Sequence, residues 1–166
     1  AIGEEAFVQP VDTSTIGLFY VGQKTIGEVH VEAGARYESV EHDPSEGNSR
    51  SFDVGALSLG AFRNLTDEWS LSVQGDFSSR APVAEELYSN GPHLATGTFE
   101  VGDDSLKEEV AVNLSADLNY QSERLTFMLS AFATGFSDFI YEVNTGLEED
   151  DLPVLQWSQQ DATFTG

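Results

Sequence analysis

Apolar and polar residues alternate with a period of two over long stretches of this 166-residue chain. Segment 110–120 shows the pattern clearly, with apolar residues at even positions and mostly polar residues at odd ones, and segments 28–38, 69–78 and 125–131 repeat it. Successive side chains of a β-strand point to opposite faces, so the pattern predicts strands with one apolar and one polar face. No 3.6-residue periodicity of comparable length accompanies it, which predicts an all-β fold.

The pattern predicts seven strands, several of them longer than ten residues. Strands in globular sheets usually have about 5–6 residues, whereas tilted strands that cross a membrane need about 9–11. In the third strand the alternation changes phase between Phe52/Val54 and Leu57/Leu59, which predicts a bulge near Gly55. The predicted strands are 14–23, 26–41, 51–63, 68–80, 106–121, 124–142 and 154–165.

The predicted connections alternate in length. Tight turns are expected at 23–25, 64–67 and 121–123, and long acidic loops at 41–50, 80–105 and 144–153. Short turns at one end and long loops at the other are typical of outer-membrane barrels, whose long loops are extracellular. This favours an antiparallel up-and-down meander of about seven long strands in a transmembrane barrel. A soluble β-sandwich binding module is the alternative.

The chemistry of the two faces predicts their surroundings. The polar positions carry too many charged groups for a dry core, but a soluble sandwich and a membrane barrel with a wet lumen both allow a solvated polar face. Strand length and the asymmetry of the loops favour the barrel. We expect the following side chains to face lipid: Leu71, Val73, Leu114, Leu118, Phe127 and Leu129. We expect the lumen to be lined by Ser72, Gln74, Asn113 and Asp117. Seven strands cannot close a single-chain bacterial barrel, so residues 1–166 are predicted to be an internal fragment of a larger one.

Composition excludes several classes of function. The chain has 29 Asp and Glu against 7 Lys and Arg, and this net charge of −22 argues against binding nucleic acid through phosphates. The absence of cysteine excludes disulfides, thiol catalysis and cysteine-ligated zinc. No Ser/His/Asp ordering or glycine-flanked nucleophile is present, so we predict no enzyme and no catalytic residues. The acidic loops are expected to attract divalent cations by long-range steering.

A resemblance to a known family rests on segment 80–109, RAPVAEELYSNGPHLATGTFEVGDDSLKEE. It resembles the stretch of TonB-dependent outer-membrane receptors in which a strand ends in Arg-x-Pro, a long loop follows, and the next strand opens with a Leu-Lys-Glu-Glu-like run. Segment 129–146 is similar to the family's F…DFI strand and loop, and segment 12–43 resembles paired strands of the same barrel region. Within the family, the wording of segment 86–102 is most similar to receptors of the zinc-uptake type.

The resemblance implies a 22-stranded barrel in the bacterial outer membrane, in contact with lipid. Its partners would be a plug domain and further strands absent from this chain, and TonB for the full-length protein. The implied function is uptake of a metal ion, zinc, or of a metal complex, with zinc as a transported ligand and no resident cofactor. A non-transporting outer-membrane barrel, such as an adhesin or translocator, is the alternative.

Four residues are predicted as metal ligands: His93, His42, Glu86 and Asp43. Without cysteine, only His, Asp and Glu side chains can bind zinc. His93 follows Asn90-Gly91-Pro92 in a long loop that also contains Glu86 and Glu100, and loops of such length are often functional. His42 and Asp43 are adjacent in another long loop, and His30 is a further candidate, deeper in the lumen.

Overall fold

A computed structural model describes residues 7–166 of the chain. The elements follow the order β1 (Val11–Ile26), β2 (Val29–Pro44), β3 (Arg50–Asn64), β4 (Trp69–Arg80), α1 (Ala84–Tyr88), β5 (Asn90–His93), β6 (Thr98–Val101), β7 (Glu109–Gln121), β8 (Thr126–Glu149) and β9 (Leu152–Thr165). The described residues contain no helix that is long and apolar enough to cross a membrane.

All the strands of residues 7–166 belong to one sheet, in the order β1-β2-β3-β4-β7-β8-β9-β6-β5. The seven long strands pair antiparallel with their chain neighbours and form what we call the wall: β1 to β4 and β7 to β9. The predicted all-β meander of seven long strands is therefore confirmed. The β-sandwich alternative is wrong, because no second sheet of the described residues packs against the wall.

Cross-strand partners share a face of a sheet, and the register confirms the predicted separation of the two faces. Leu118 pairs with Leu71 on one side and Leu129 on the other, giving an apolar row across β4, β7 and β8. Asn113 pairs with Asp76 and Thr134 on the opposite face and hydrogen-bonds to both side chains, at 3.1 and 2.8 Å. We call these the apolar face and the polar face.

Two predicted connections differ from the structure. The turn expected at 23–25 lies at Gly27-Glu28, because Gly27 supplies the positive φ (63°) that the reversal needs. The long loop expected at 144–153 is instead the end of the β8–β9 hairpin, which has an irregularity between Asn144 and Glu148 and is closed by Asp150 and Asp151 with φ values of 53° and 62°. Two consecutive positive φ values are typical of the two-residue turns that match the twist of paired strands.

The predicted bulge near Gly55 is also wrong, since β2 and β3 pair without interruption from Val29 to His42. Phe52 and Val54 lie on the polar face and are buried there, whereas Leu57 and Leu59 lie on the apolar face. The change of phase therefore marks a change in which face is covered. An irregularity occurs instead in β8, between Phe136 and Phe139.

Residues 81–108, between β4 and β7, form a structured unit that we call the insert. The sequence predicts only a loop here, but the segment contains α1, β5 and β6. It packs on the polar face, at the end of the sheet opposite the turns at 27–28, 65–68 and 122–125. The main buried cluster joins it to the wall and consists of Phe52, Val54, Leu87, Tyr88, Leu106 and Ile140.

Candidate functional site

Arg80, the last residue of β4, joins the insert to the wall. Its Nε and Nη2 atoms donate to the two carboxylate oxygens of Glu109 at 3.1 and 3.2 Å, and its Nη1 atom donates to Glu86 Oε2 at 2.9 Å. Burial lowers the pKa of Arg80, but the hydrogen bonds and charges of Glu86 and Glu109 outweigh burial and raise this pKa overall. The guanidinium therefore stays charged and binds both carboxylates at once.

Each of the two carboxylates also accepts a hydrogen bond from a backbone amide. Glu86 Oε2 accepts a hydrogen bond from the Val83 amide at 2.8 Å, at the start of α1. Glu109 Oε2 accepts one from the Ile140 amide at 2.9 Å, just beyond the irregular part of β8. Glu86, predicted as a metal ligand, is thus buried and committed to Arg80 and to the helix terminus.

His42 and Asp43, two more predicted ligands, also have protein partners. The buried His42 ring contacts Pro82 O through Nε2 at 3.0 Å and Thr13 Oγ1 through Nδ1 at 2.9 Å. A carbonyl oxygen can only accept, so Nε2 carries a proton, and in the neutral ring Nδ1 accepts from the Thr13 hydroxyl. Asp43 accepts a hydrogen bond from Ser49 Oγ at 2.6 Å.

His93 stands in a different environment, at the end of β5. Its Nδ1 atom lies 2.6 Å from Glu100 Oε1 on β6, and the Phe7 ring stacks on the imidazole with centroids 4.3 Å apart. The Glu100 carboxylate is buried, whereas the His93 side chain is 30% exposed. Burial and the charge of Glu100 raise the pKa of Glu142 on the extension of β8, and His93 lowers it. His93 on β5 and Glu100 on β6 thus both act on the carboxyl group of Glu142.

The four predicted ligands do not converge on one point. Within residues 7–166, no group of three or more His, Asp or Glu side chains is placed to hold a metal ion. The sequence did not predict the part played by Phe7, Arg80 and Glu142. Phe7 and Glu142 reach the insert by packing or pairing with distant segments, and the partner of Arg80 on β7, Glu109, is 29 positions away. Glu142 gave no local signal, because it approaches β6 only through the pairing of both strands with β9.

Further side chains fix the insert where it returns to the wall. Arg50 Nη2 donates to Leu106 O at 2.8 Å. The Gln159 side chain accepts from the Lys107 amide at 2.9 Å and donates to Lys107 O at 2.8 Å. The insert is therefore held to the wall near both of its ends, at Pro82 and Glu86 and again at Leu106 and Lys107.

Known proteins share this architecture. The family model described as "TonB dependent receptor-like, beta-barrel" matches residues 3–165. The copper transporter OprC superposes with a TM-score of 0.79 at 18% identity, covering 94% of this chain and 25% of that chain. A double mutant of the Serratia marcescens hemophore receptor HasR, in complex with its hemophore HasA and heme, gives 0.72 at 16% identity, with 100% and 32% covered.

A third solved structure agrees with these two. The siderophore receptor PirA from Pseudomonas aeruginosa gives a TM-score of 0.57 at 15% identity, covering 94% of this chain and 39% of that chain. At such identities the likeness shows the fold alone, and this chain spans only 25–39% of the length of these three proteins. Specificity for zinc is not among the features that the comparisons support.

The family match sets the orientation of the wall. Its members are bacterial outer-membrane proteins and transport receptors. In such barrels the apolar face contacts lipid, the polar face lines the lumen, and the longer connections are extracellular. The insert therefore lies at the extracellular mouth. This chain belongs to the TonB-dependent receptor-like β-barrel family and is a segment of an outer-membrane barrel.

Proposed function

We propose that this segment belongs to a receptor that captures a metal ion or metal complex at the cell surface for TonB-dependent uptake. The observation that carries the proposal is the insert, a structured unit held over the polar face that presents a half-exposed histidine at the mouth. Named functions of proteins with a similar fold support it, since they include a copper transporter and receptors for a hemophore and a siderophore.

Within this proposal the ion is zinc and His93 is its first ligand. Histidines that bind metal usually donate their other ring N–H to a carboxylate, which fixes the ring and its tautomer. The contact of His93 Nδ1 with Glu100 matches that arrangement and leaves Nε2 as the nitrogen that binds the metal. His42, Glu86 and Asp43 would join such a site only by giving up their present hydrogen bonds.

Zinc sites need three or four ligands, so further ligands have to come from other parts of the receptor or from a metal complex. The excess of acidic residues supports capture by long-range attraction of cations. Because salt screens such attraction, the capture rate of a cationic ligand should fall as ionic strength rises.

The proposal is tested by calorimetric titration of the full-length receptor with zinc. His93→Ala should weaken zinc binding about tenfold or more, since it removes a ligand. His30→Ala, at the further candidate, is the matched comparison and should leave zinc affinity unchanged, because that exposed imidazole lies on the polar face and contacts Thr25 Oγ1 instead of the insert. Unchanged affinity and stoichiometry for His93→Ala would reject the assignment.

The transport part of the proposal needs a separate measurement on whole cells. Uptake of radiolabelled zinc through the receptor should disappear when TonB is deleted, while zinc still binds at the surface. Zinc uptake that is the same with and without TonB would contradict TonB-dependent transport. Zinc binding with no uptake in either strain would favour the non-transporting barrel.

A further inference from the structure

We propose that Arg80 is a positioning residue for cargo capture, which holds the insert in one orientation and so aims the His93 side of it. This inference rests on the function proposed above. It assigns Arg80 no contact with the metal, and its effect passes through Glu86 and α1. Arg80 lies at the base of the insert.

The insert leaves the wall directly after Arg80 and returns to it at Glu109, and these two residues are partners in the β4–β7 ladder. Their side chains close the base of the insert with two parallel hydrogen bonds. The third bond, from Nη1 to Glu86 Oε2, connects this closed base to α1. One planar guanidinium thus ties the start of the helix to the wall, in addition to the buried contacts of Leu87 and Tyr88 at its end.

The hairpin that carries His93 is held on one side by the pairing of β6 with β9 and on the other by its short connection to α1. Only Ser89 separates the end of α1 at Tyr88 from the start of β5 at Asn90. A displacement of α1 therefore moves β5 directly. The contact of His93 with Glu100 keeps the imidazole fixed to the hairpin, so the ring moves with it.

Removal of Arg80 would leave two buried carboxylates, Glu86 and Glu109, close together without their counter-charge. Like charges that are withdrawn from water repel each other strongly, and the part that can move is the helix. The wall is different, because β4 and β7 pair through their backbones from Trp69–Tyr120 to Arg80–Glu109. The loss should therefore displace the insert and leave the ladder in place.

Lysine cannot replace this arginine fully. Its ammonium is a point charge on a flexible stem and lacks the planar fork that binds one carboxylate with two parallel bonds while reaching a second. Arg80→Lys should consequently keep the charge balance but hold the helix less firmly. A positioning role therefore predicts a graded zinc affinity, highest with arginine at position 80, intermediate with lysine and lowest with glutamine.

The experiment uses the full-length receptor in outer-membrane vesicles, with zinc as the probe. The variants are Arg80→Gln and Arg80→Lys, and Arg36→Gln is the matched control. Arg36 lies on the same polar face but forms an exposed ion pair with Glu38, away from the insert. Zinc affinity is measured by calorimetry, and amide exchange is followed separately for segment 84–101 and for the wall strands.

Arg80→Gln should weaken zinc binding about tenfold, as loss of an orienting partner does in metal sites, and speed exchange in segment 84–101 alone. Zinc affinity and amide exchange of Arg80→Lys should be intermediate between those of Arg80→Gln and the wild type. Arg36→Gln should match the wild type in both measurements. Weakened binding with unchanged exchange would overturn the proposal in favour of direct contact with the metal. Faster exchange with unchanged affinity would show that the orientation of the insert does not govern capture.

Two further outcomes are distinguishable. If the wild-type receptor binds no zinc, the proposed function fails, while the exchange data still report whether Arg80 holds the insert. If Arg80→Gln does not assemble, Glu109→Gln replaces it, because that change removes one charged partner of Arg80 and keeps an amide oxygen as acceptor. Exchange in segment 84–101 that is unchanged in Glu109→Gln would then reject the proposal.

Discussion

The wall and the insert are parts of one sheet but are stabilised in different ways. In the wall, long backbone ladders join neighbouring strands, and the side chains divide between a lipid face and a lumen face. In the insert, elements of four or five residues are held by a three-residue pairing of β6 with β9, by a small buried cluster and by side chains of strands that are 40 or more positions away in sequence. We infer that the insert can loosen while the wall stays intact.

The largest expected effect comes from the cluster under the insert. Leu87 is 2% exposed, and Leu87→Ala should cost about 2–5 kcal/mol, the usual range for a buried leucine that leaves a cavity. Amide exchange in the full-length receptor would show the loss in segment 84–106 alone. An equal rise of exchange in β7 would contradict the independence of the two regions.

A second substitution tests the wall and its two faces. Leu114→Arg puts a charge on the lipid side and should destabilise the barrel by about 2–4 kcal/mol, whereas Asn113→Arg, on the lumen side, should cost close to nothing. Unfolding of the full-length barrel from phospholipid bilayers measures both values. Equal costs at these neighbouring positions would refute the assignment of the faces.

The smallest expected effect concerns the return of the insert to the wall. Gln159→Ala removes two hydrogen bonds to the Lys107 backbone and should destabilise that segment by about 1–2 kcal/mol. Gln160→Ala, at the exposed neighbouring position, is the control and should have no effect on the insert. Faster exchange of the Lys107 amide in Gln159→Ala alone would support the prediction, and the same rate in both variants would oppose it.

The same contrast explains what could be predicted from the sequence. The wall strands could be predicted because alternation over ten or more residues is a local property, as segment 110–120 illustrates. Elements as short as α1 and β5 are too short to show such a period. The side chains of Arg50 and Gln159 hold the insert to the wall, but they lie more than fifty positions from their partners in the sequence. The prediction of a bulge near Gly55 was wrong because Phe52, an apolar residue on the polar face, is buried by the insert and not by a change of face.

For the four predicted ligands, the sequence did not show which groups each side chain contacts in the folded structure. The setting of His93 depends on the register of a short hairpin and on Phe7, more than eighty positions away. The environment of His42 depends on Pro82, a fully buried residue of the insert. Composition narrows the candidates for zinc to His, Asp and Glu, but long-range contacts decide which of them are free to bind it.

The parallel pairing of β6 with β9 has a consequence for the backbone groups of β9 next to the β8–β9 turn. Phe99, Glu100 and Val101 pair with Val154, Leu155 and Gln156. A bare strand edge in water is a template for pairing with another chain, and proteins commonly cover such edges. The insert covers this stretch of β9 with its own backbone, so residues 154–156 cannot at the same time offer these hydrogen-bonding groups to the backbone of another chain.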